Sequence, residues 1–302
     1  MIDKNYFDVI IVGGSYAGLS AAMALGRSMR NVLILDSGMP CNRQTPHSHN
    51  FITQDGEKPA VIAESAKRQV LKYDTVTFVN SLAVSGKLIT NGFAIATQAG
   101  EEYRAKKLIF ATGVSDTMPG IKGFAACWGI SVVHCPYCHG YELRNKKTGI
   151  MANGEKAYHL ASLVNNLTDK ITLYTSGPAD FKSAQLAKLQ LHNIEIVEIP
   201  ITEVEHNNGY VKNIILESGN KIALDAIYAA LPFTQHCDIP VSMGCELTEH
   251  GYMKVDGFQK TSVDGIFSCG DNANMMRSVA NAVYSGNLTG AVVNRELTEA
   301  LF

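Results

Sequence analysis

Short apolar runs bounded by turn residues set the rhythm of this chain. Phe7-Asp8-Val9-Ile10-Ile11-Val12 predicts a strand, Gly13-Gly14-Ser15-Tyr16-Ala17-Gly18 a glycine-rich turn, Leu19 to Ser28 a helix, and Asn31-Val32-Leu33-Ile34-Leu35 a second strand that ends on Asp36. The same series returns in mid-chain. Thr148 onward reads as strand and turn, Tyr158 to Asn166 as helix, and Ile171-Thr172-Leu173-Tyr174 as strand. Between the repeats, Lys106 to Phe110 is a strand closing on Ala111-Thr112-Gly113, and Met118-Pro119-Gly120-Ile121-Lys122-Gly123 reads as a linker. Leu231-Pro232 and Ile239-Pro240 bracket a return linker, after which Gly265 to Cys269 predicts a strand ending in the turn Gly270-Asp271. The expected fold class is α/β, with two dinucleotide-binding, Rossmann-like domains and the second inserted into the first. The boundaries fall at 1–117 and 239–302 for the first domain and 118–238 for the inserted one.

A strand, glycine-rich turn and helix place a helix N-terminus under a pyrophosphate, and an acid closing the next strand binds a ribose hydroxyl. Gly13 to Gly18 and Asp36 supply both parts. The net charge of −2 gives no electrostatic reason to expect nucleic acid or an anionic membrane as partner. No apolar run approaches the ~18 residues that span a bilayer. The first core strand begins by Phe7, which leaves no room for a secretory signal ahead of it, so a cytoplasmic location is expected.

Seven scattered cysteines, an odd number, do not form the framework of a secreted disulfide scaffold. The close pair in Cys135-Pro136-Tyr137-Cys138, followed at once by His139, therefore reads as catalytic or metal-binding. Zinc requires four ligands; His134 or His139 could join the pair, but no second Cys-x-x-Cys exists. The string is also a c-type haem attachment pattern, which the expected location argues against. No metal is expected. Cys41, Cys127, Cys237, Cys245 and Cys269 read as small core or surface residues.

Taken in order, the N-terminal turn, Ala111-Thr112-Gly113, the Cys pair and Gly270-Asp271 resemble the low-molecular-weight thioredoxin reductases, FAD-dependent pyridine nucleotide-disulfide oxidoreductases, over nearly the whole chain. The string Cys135-Pro-Tyr-Cys-His-Gly-Tyr-Glu142 is closer to a subgroup that includes oxidases of dithiols in disulfide-containing natural products. The resemblance implies that Gly13, Gly14, Ser15 and Gly18 hold the FAD pyrophosphate and Asp36 the adenosine ribose. It implies further that Asn50, in His49-Asn50-Phe51, meets the flavin ring, that Ala111, Thr112, Gly113, Gly270 and Asp271 line the cofactor, and that Ser278 and Val279 place a helix N-terminus at its pyrimidine edge. A homodimer is also implied. Ser15 replaces the usual second glycine, and Arg277-Ser278-Val279 replaces the usual Arg-Gln-Ala.

The resemblance also implies that Cys138 faces the flavin and Cys135 exchanges with the substrate. Only a thiolate attacks a disulfide, so a neighbouring base matters. His139 titrates near neutrality and suits a general acid-base role, with His134 and Glu142 as reserves and an ordinary structural hydrogen bond as the competing reading. The second dinucleotide unit departs from the family: Ala152, Gly154 and Ala157 align with Gly13, Ser15 and Gly18, Thr175 stands where Asp36 stands, and Ser176-Gly177-Pro178 replaces a His-Arg-Arg cluster for the NADPH 2′-phosphate. NADPH, NADH or a donor other than a nicotinamide all remain as the reductant.

The expected function is an FAD-dependent thiol-disulfide oxidoreductase acting through Cys135, Cys138 and His139 on a thioredoxin-like protein or a small dithiol or disulfide. One alternative oxidises a dithiol and passes the electrons to dioxygen. Another, of a different class, is a catalytically idle flavin-binding redox sensor or interaction protein.

Overall fold

The structure, a computed structural model, describes residues 5–302 and divides into two compact units. One comprises the chain up to Arg43, Glu57–Ser115 and Phe233–Phe302; the other comprises Gln44–Gly56 and Asp116–Pro232. The chain passes between them at four places, because residues 44–56, expected within the first domain, belong with the second. That segment has no core pattern of its own. It is tied down by contacts such as the Gln44 side-chain amide donating to the carbonyl of Trp128 at 2.6 Å.

The first unit is built on a seven-stranded sheet. Its parallel part runs in the order Val76–Asn80, Val32–Asp36, Tyr6–Val12, Glu102–Phe110, with Ile266–Ser268 also parallel to Glu102–Phe110. Gly92–Thr97 and Ala83–Ile89 extend it antiparallel. Val9, Ile10 and Ile11 are fully buried, as expected for a strand covered on both faces. One cover is the helix Tyr16–Arg27, which lies against the long C-terminal helix Val279–Glu299. The two approach closely because glycines face the contact. A Cβ on Gly286 would stand 2.1 Å from the Ala17 carbonyl oxygen, and one on Gly290 2.6 Å from that of Ala21.

The second unit repeats the theme in smaller form. Glu195–Val197, Ile171–Tyr174, Thr148–Met151, Ala226–Ala229 and Val132–Val133 make a five-stranded parallel sheet in that order, and Ile201–Asn207, Tyr210–Leu216 and Lys221–Ala223 a three-stranded antiparallel one. The helices Gly154–Val164 and Ser183–Leu191 connect the parallel strands. Among the described residues, no helix is long and apolar enough to cross a membrane.

Candidate active site

Chain geometry explains the glycine pattern of the first turn. Gly13 has φ +106°, and a Cβ there would lie 2.2 Å from the Ala111 carbonyl oxygen; one on Gly18 would lie 1.8 Å from the Gly13 oxygen. Both positions therefore exclude any side chain. The helix begins at Tyr16, earlier than the sequence pattern predicts, so Gly18 is inside its first turn rather than ahead of it. Ser15 occupies the N-cap in extended backbone, and its hydroxyl caps nothing. First-turn amides without a side-chain cap are the groups that bind a phosphate. Asp36 is held at the same place: Oδ1 accepts from the Gly14 amide at 2.8 Å and Oδ2 from the Gly38 amide at 3.1 Å.

The C-terminal part adds polar groups around this turn. Gly270 has φ +86° and its amide donates to Ser285 Oγ at 3.1 Å. Asp271 Oδ2 lies 3.8 Å from Arg277 Nε and 4.0 Å from Cys41 Sγ. Ser278 caps the long helix, its hydroxyl accepting from the Asn281 amide at 3.1 Å, and Val279 is the helix's first residue. Ala111 continues from the sheet, its amide donating to the Val12 carbonyl at 2.8 Å, and Thr112 Oγ1 is 3.5 Å from Asn272 Nδ2. Gly113 follows with φ +66°. Asn272, which sequence reasoning did not single out, is fully buried. Its Nδ2 donates to the Phe110 carbonyl and to Ser268 Oγ, while its Oδ1 has no hydrogen-bond partner among the described residues. An orphaned acceptor, an uncapped helix and two positions that only glycine can occupy fit an FAD pyrophosphate and its ribityl chain.

The redox pair lies in the second unit. Cys135 and Cys138 form a disulfide with their Cα atoms 5.3 Å apart. Cys135 caps the single helical turn Pro136–His139, and its Sγ accepts from the Cys138 amide at 3.2 Å. His139 follows within the same turn, half-buried; burial first, and His49 second, push its pKa down to about 4. Asn50, grouped by the sequence reading with the flavin ligands, belongs to this unit and not to that of Gly13 and Asp36. It has φ +60°, and its amide donates to Asp55 Oδ1 at 2.7 Å. His49 beside it stands 3.7 Å from Asp55 and 3.7 Å from Glu142. His134 stacks on Trp128 at 5.9 Å between ring centroids.

The His139 environment sets a stability signature. The unfolded chain takes up a proton near 6.5 that the native state resists until about 4, so stability present at neutral pH is lost as pH falls through that window. Such a displacement amounts to about 3 kcal/mol at most. The melting temperature of the native protein is expected to drop between those limits, and His139→Asn to flatten the drop. Thermal melts of both proteins across the range check it; parallel curves would refute the assignment.

The second dinucleotide turn has a different content. Asn153 caps the helix Gly154–Val164 with Oδ1, which accepts from the amides of Gly154 at 2.8 Å and Asp180 at 2.9 Å, while its Nδ2 donates to the Pro178 carbonyl at 2.9 Å. The Asp180 carboxylate comes within 3.5 Å of the Cβ position on Gly154. Glu155, in the first turn, pairs with Lys182 Nζ at 2.6 Å and accepts from Gln185 at 3.0 Å. Thr175 is buried and donates to the Gly177 carbonyl at 2.7 Å, and Glu198 accepts from the Ala179 amide at 2.7 Å.

The family model for pyridine nucleotide-disulphide oxidoreductases matches residues 7–286. The chain belongs to that family. Among curated relatives, a thioredoxin reductase of Claviceps purpurea is 32% identical over 98% of this chain and 96% of its own, and one of Leptosphaeria maculans 31% identical over 96% and 94%. Among solved structures, an oxidoreductase from Agrobacterium tumefaciens superposes with TM-score 0.90 at 36% identity, covering 97% of this chain and 99% of its own. A putative thioredoxin reductase from Bacillus anthracis gives 0.93 at 29%, covering 98% and 100%.

As a pyridine nucleotide-disulphide oxidoreductase of thioredoxin reductase type, the protein is a disulfide oxidoreductase enzyme and a flavoprotein. Membership implies FAD and a nicotinamide. The residues missed by sequence reasoning, Asn272, Ser285 and His49, share one trait: each has a partner well separated in the chain, Phe110, Gly270 and Glu142 respectively. A polar residue inside an apolar segment was the available signal for Ser285 alone.

Proposed function

We propose that the protein catalyses thiol-disulfide exchange through Cys135 and Cys138, with FAD held by the first unit. The observation that carries this reading is the disulfide itself, formed on a turn that delivers a neutral imidazole as the next residue after Cys138. Gly13, Gly14, Ser15, Gly18, Asp36, Asn272 and Asp271 are the residues that would hold FAD. When bound, FAD would exchange two electrons with the Cys pair.

In this proposal a substrate sulfur exchanges at Cys135, and Cys138 leaves as thiolate. His139 is uncharged while the disulfide is closed, because burial disfavours the imidazolium. It can therefore accept a proton from an attacking thiol. A thiolate formed beside it then favours the charged ring, so the two charges arise together. The substrate is a thioredoxin-like protein or a small dithiol or disulfide.

A second reading, in which a dithiol supplies the electrons and dioxygen takes them, is supported by the second turn. A dinucleotide pyrophosphate needs free first-turn amides, and the NADPH 2′-phosphate is held best by cations, whereas here Asn153 takes the Gly154 amide, the acids Asp180, Glu155 and Glu198 lie at the turn and its neighbouring loop, and Lys182 is paired. These residues do not fit a nicotinamide dinucleotide, and no step of the proposal runs through one.

The roles of the two sulfurs can be separated by substitution. Cys135→Ser leaves Cys138 as a thiolate and is expected to give a long-wavelength absorption band with the flavin, while Cys138→Ser gives none. Absorption spectra of both variants decide it, and the reverse pattern would exchange the roles.

A further inference from the structure

The glycine turn and Asp36 answer to the half of FAD that other dinucleotides share. Pyrophosphate and adenosine ribose occur in nicotinamide dinucleotides as well, so a first unit that keeps a flavin needs a further contact to the part that differs. That part begins with the ribityl chain. Its hydroxyls can donate hydrogen bonds, whereas an ionised pyrophosphate only accepts them.

Asn272 offers an acceptor with nothing to fill it. The residue is fully buried, and its carboxamide is locked in one orientation: Nδ2 donates to Ser268 Oγ at 2.8 Å and to the Phe110 carbonyl at 3.1 Å, with Thr112 Oγ1 at 3.5 Å. Ser268 directs its own hydroxyl proton to the same Phe110 carbonyl at 3.3 Å, so towards Asn272 it can only accept. A flipped carboxamide would set Oδ1 against two acceptors. The main chain is held as well, the Asn272 carbonyl accepting from the Met253 amide at 2.8 Å and from Gln235 Nε2 at 3.0 Å. Oδ1 is left without a hydrogen-bond partner among the described residues, and a buried unpaired acceptor is costly.

Gly270 relates this oxygen to the first helix. The Cβ position of that glycine lies 3.9 Å from Asn272 Oδ1 and 3.0 Å from the Cβ of Ala17, in the first turn of Tyr16–Arg27; apart from the residues adjoining Gly270, no other described heavy atom comes within 4 Å of it. A side chain would fill the gap, and glycine leaves it open. The orphaned oxygen thus borders a space shared with the helix end that suits a pyrophosphate. Two acceptors cannot bond each other, so the group that meets Oδ1 there has to carry a hydrogen. We propose that Asn272 is a specificity-determining residue of the cofactor site, its Oδ1 accepting a hydrogen bond from a hydroxyl of the FAD ribityl chain. The proposal rests on the reading of the first unit as the FAD site. Glycine turn, helix and Asp36 hold the ADP half, and Asn272 recognises the chain that ADP lacks.

The test strips the flavin from the full-length protein and follows rebinding by flavin fluorescence, with ADP, followed by calorimetry, as the probe without a ribityl chain. Asn272→Ala is expected to weaken FAD binding by about tenfold or more and ADP binding by less than about twofold. In the wild-type protein, one of the FAD analogues lacking a single ribityl hydroxyl is expected to bind about tenfold more weakly than FAD, and in Asn272→Ala that difference disappears. Unchanged FAD affinity in the variant would overturn the proposal. Equal losses of FAD and ADP would do the same, since they mark a residue that only shapes the turn, as would an analogue deficit that persists in the variant, Oδ1 then holding a water. If Asn272→Ala does not fold, analogues that all bind the wild-type protein as tightly as FAD overturn it alone. Failure of the wild-type protein to bind FAD at all would instead remove the underlying reading, and the role of Asn272 with it.

Discussion

Gly13→Val is expected to yield a colourless protein. The native residue sits at φ +106°, where a β-branched side chain is strained, and any Cβ would stand 2.2 Å from the Ala111 carbonyl oxygen. The backbone has to move, and it carries with it the Gly14 amide that fixes Asp36 at 2.8 Å. Strain of this kind costs about 1–3 kcal/mol before the clash is counted. Phosphate binding depends on the placement of backbone amides, so the loss of affinity should be nearly complete. The ratio of flavin to protein absorbance after purification measures it, and a stoichiometric yellow variant would sink the assignment of this turn.

NADPH is expected to bleach the bound flavin slowly, with little preference over NADH, whereas a dithiol bleaches it quickly. Each charge-assisted contact to a phosphate contributes on the order of 1.5–3 kcal/mol, so the absence of two arginines corresponds to roughly a hundredfold or more in binding. Lys182, a cation near this turn, is not free to compensate, because its ammonium is bound to Glu155 at 2.6 Å. The nearby acids Asp180 and Glu198 add repulsion to the missing attraction. Anaerobic stopped-flow with both nucleotides and a dithiol provides the comparison. Fast, NADPH-selective bleaching would show that the second unit binds the nucleotide by other contacts.

What could be read from the sequence was what is local. Strand, turn, helix and strand stand close together in the first unit, and the acid ending the second strand lies only 22 positions beyond Gly14, so their relation survives without knowledge of the fold. Both dinucleotide units and the insertion of one into the other were legible for the same reason. The start of the first helix was not, since Gly18 serves both as a turn-like residue and as the point where helix and turn touch. Residues 44–56 were misassigned because their loop conformation carries no periodic pattern and depends on partners such as Trp128. His49 passed unnoticed beside Asn50 because its meaning comes from Glu142, 93 positions on by residue number, and only the folded chain brings them together. The orphaned oxygen of Asn272 is likewise visible only once Phe110 and Ser268 have taken its amide group.

The packing of Gly286 and Gly290 onto the first helix also fixes an order of events during synthesis. The first unit is closed by Val279–Glu299, which is synthesised only after every residue of the second unit, all of which precede Phe233. Domains fold as units once their sequence is complete. The inserted unit therefore matures while its host is still an open sheet missing the strand Ile266–Ser268 and one covering helix, and the turn that carries Asp271 and Asn272 joins the first unit only afterwards.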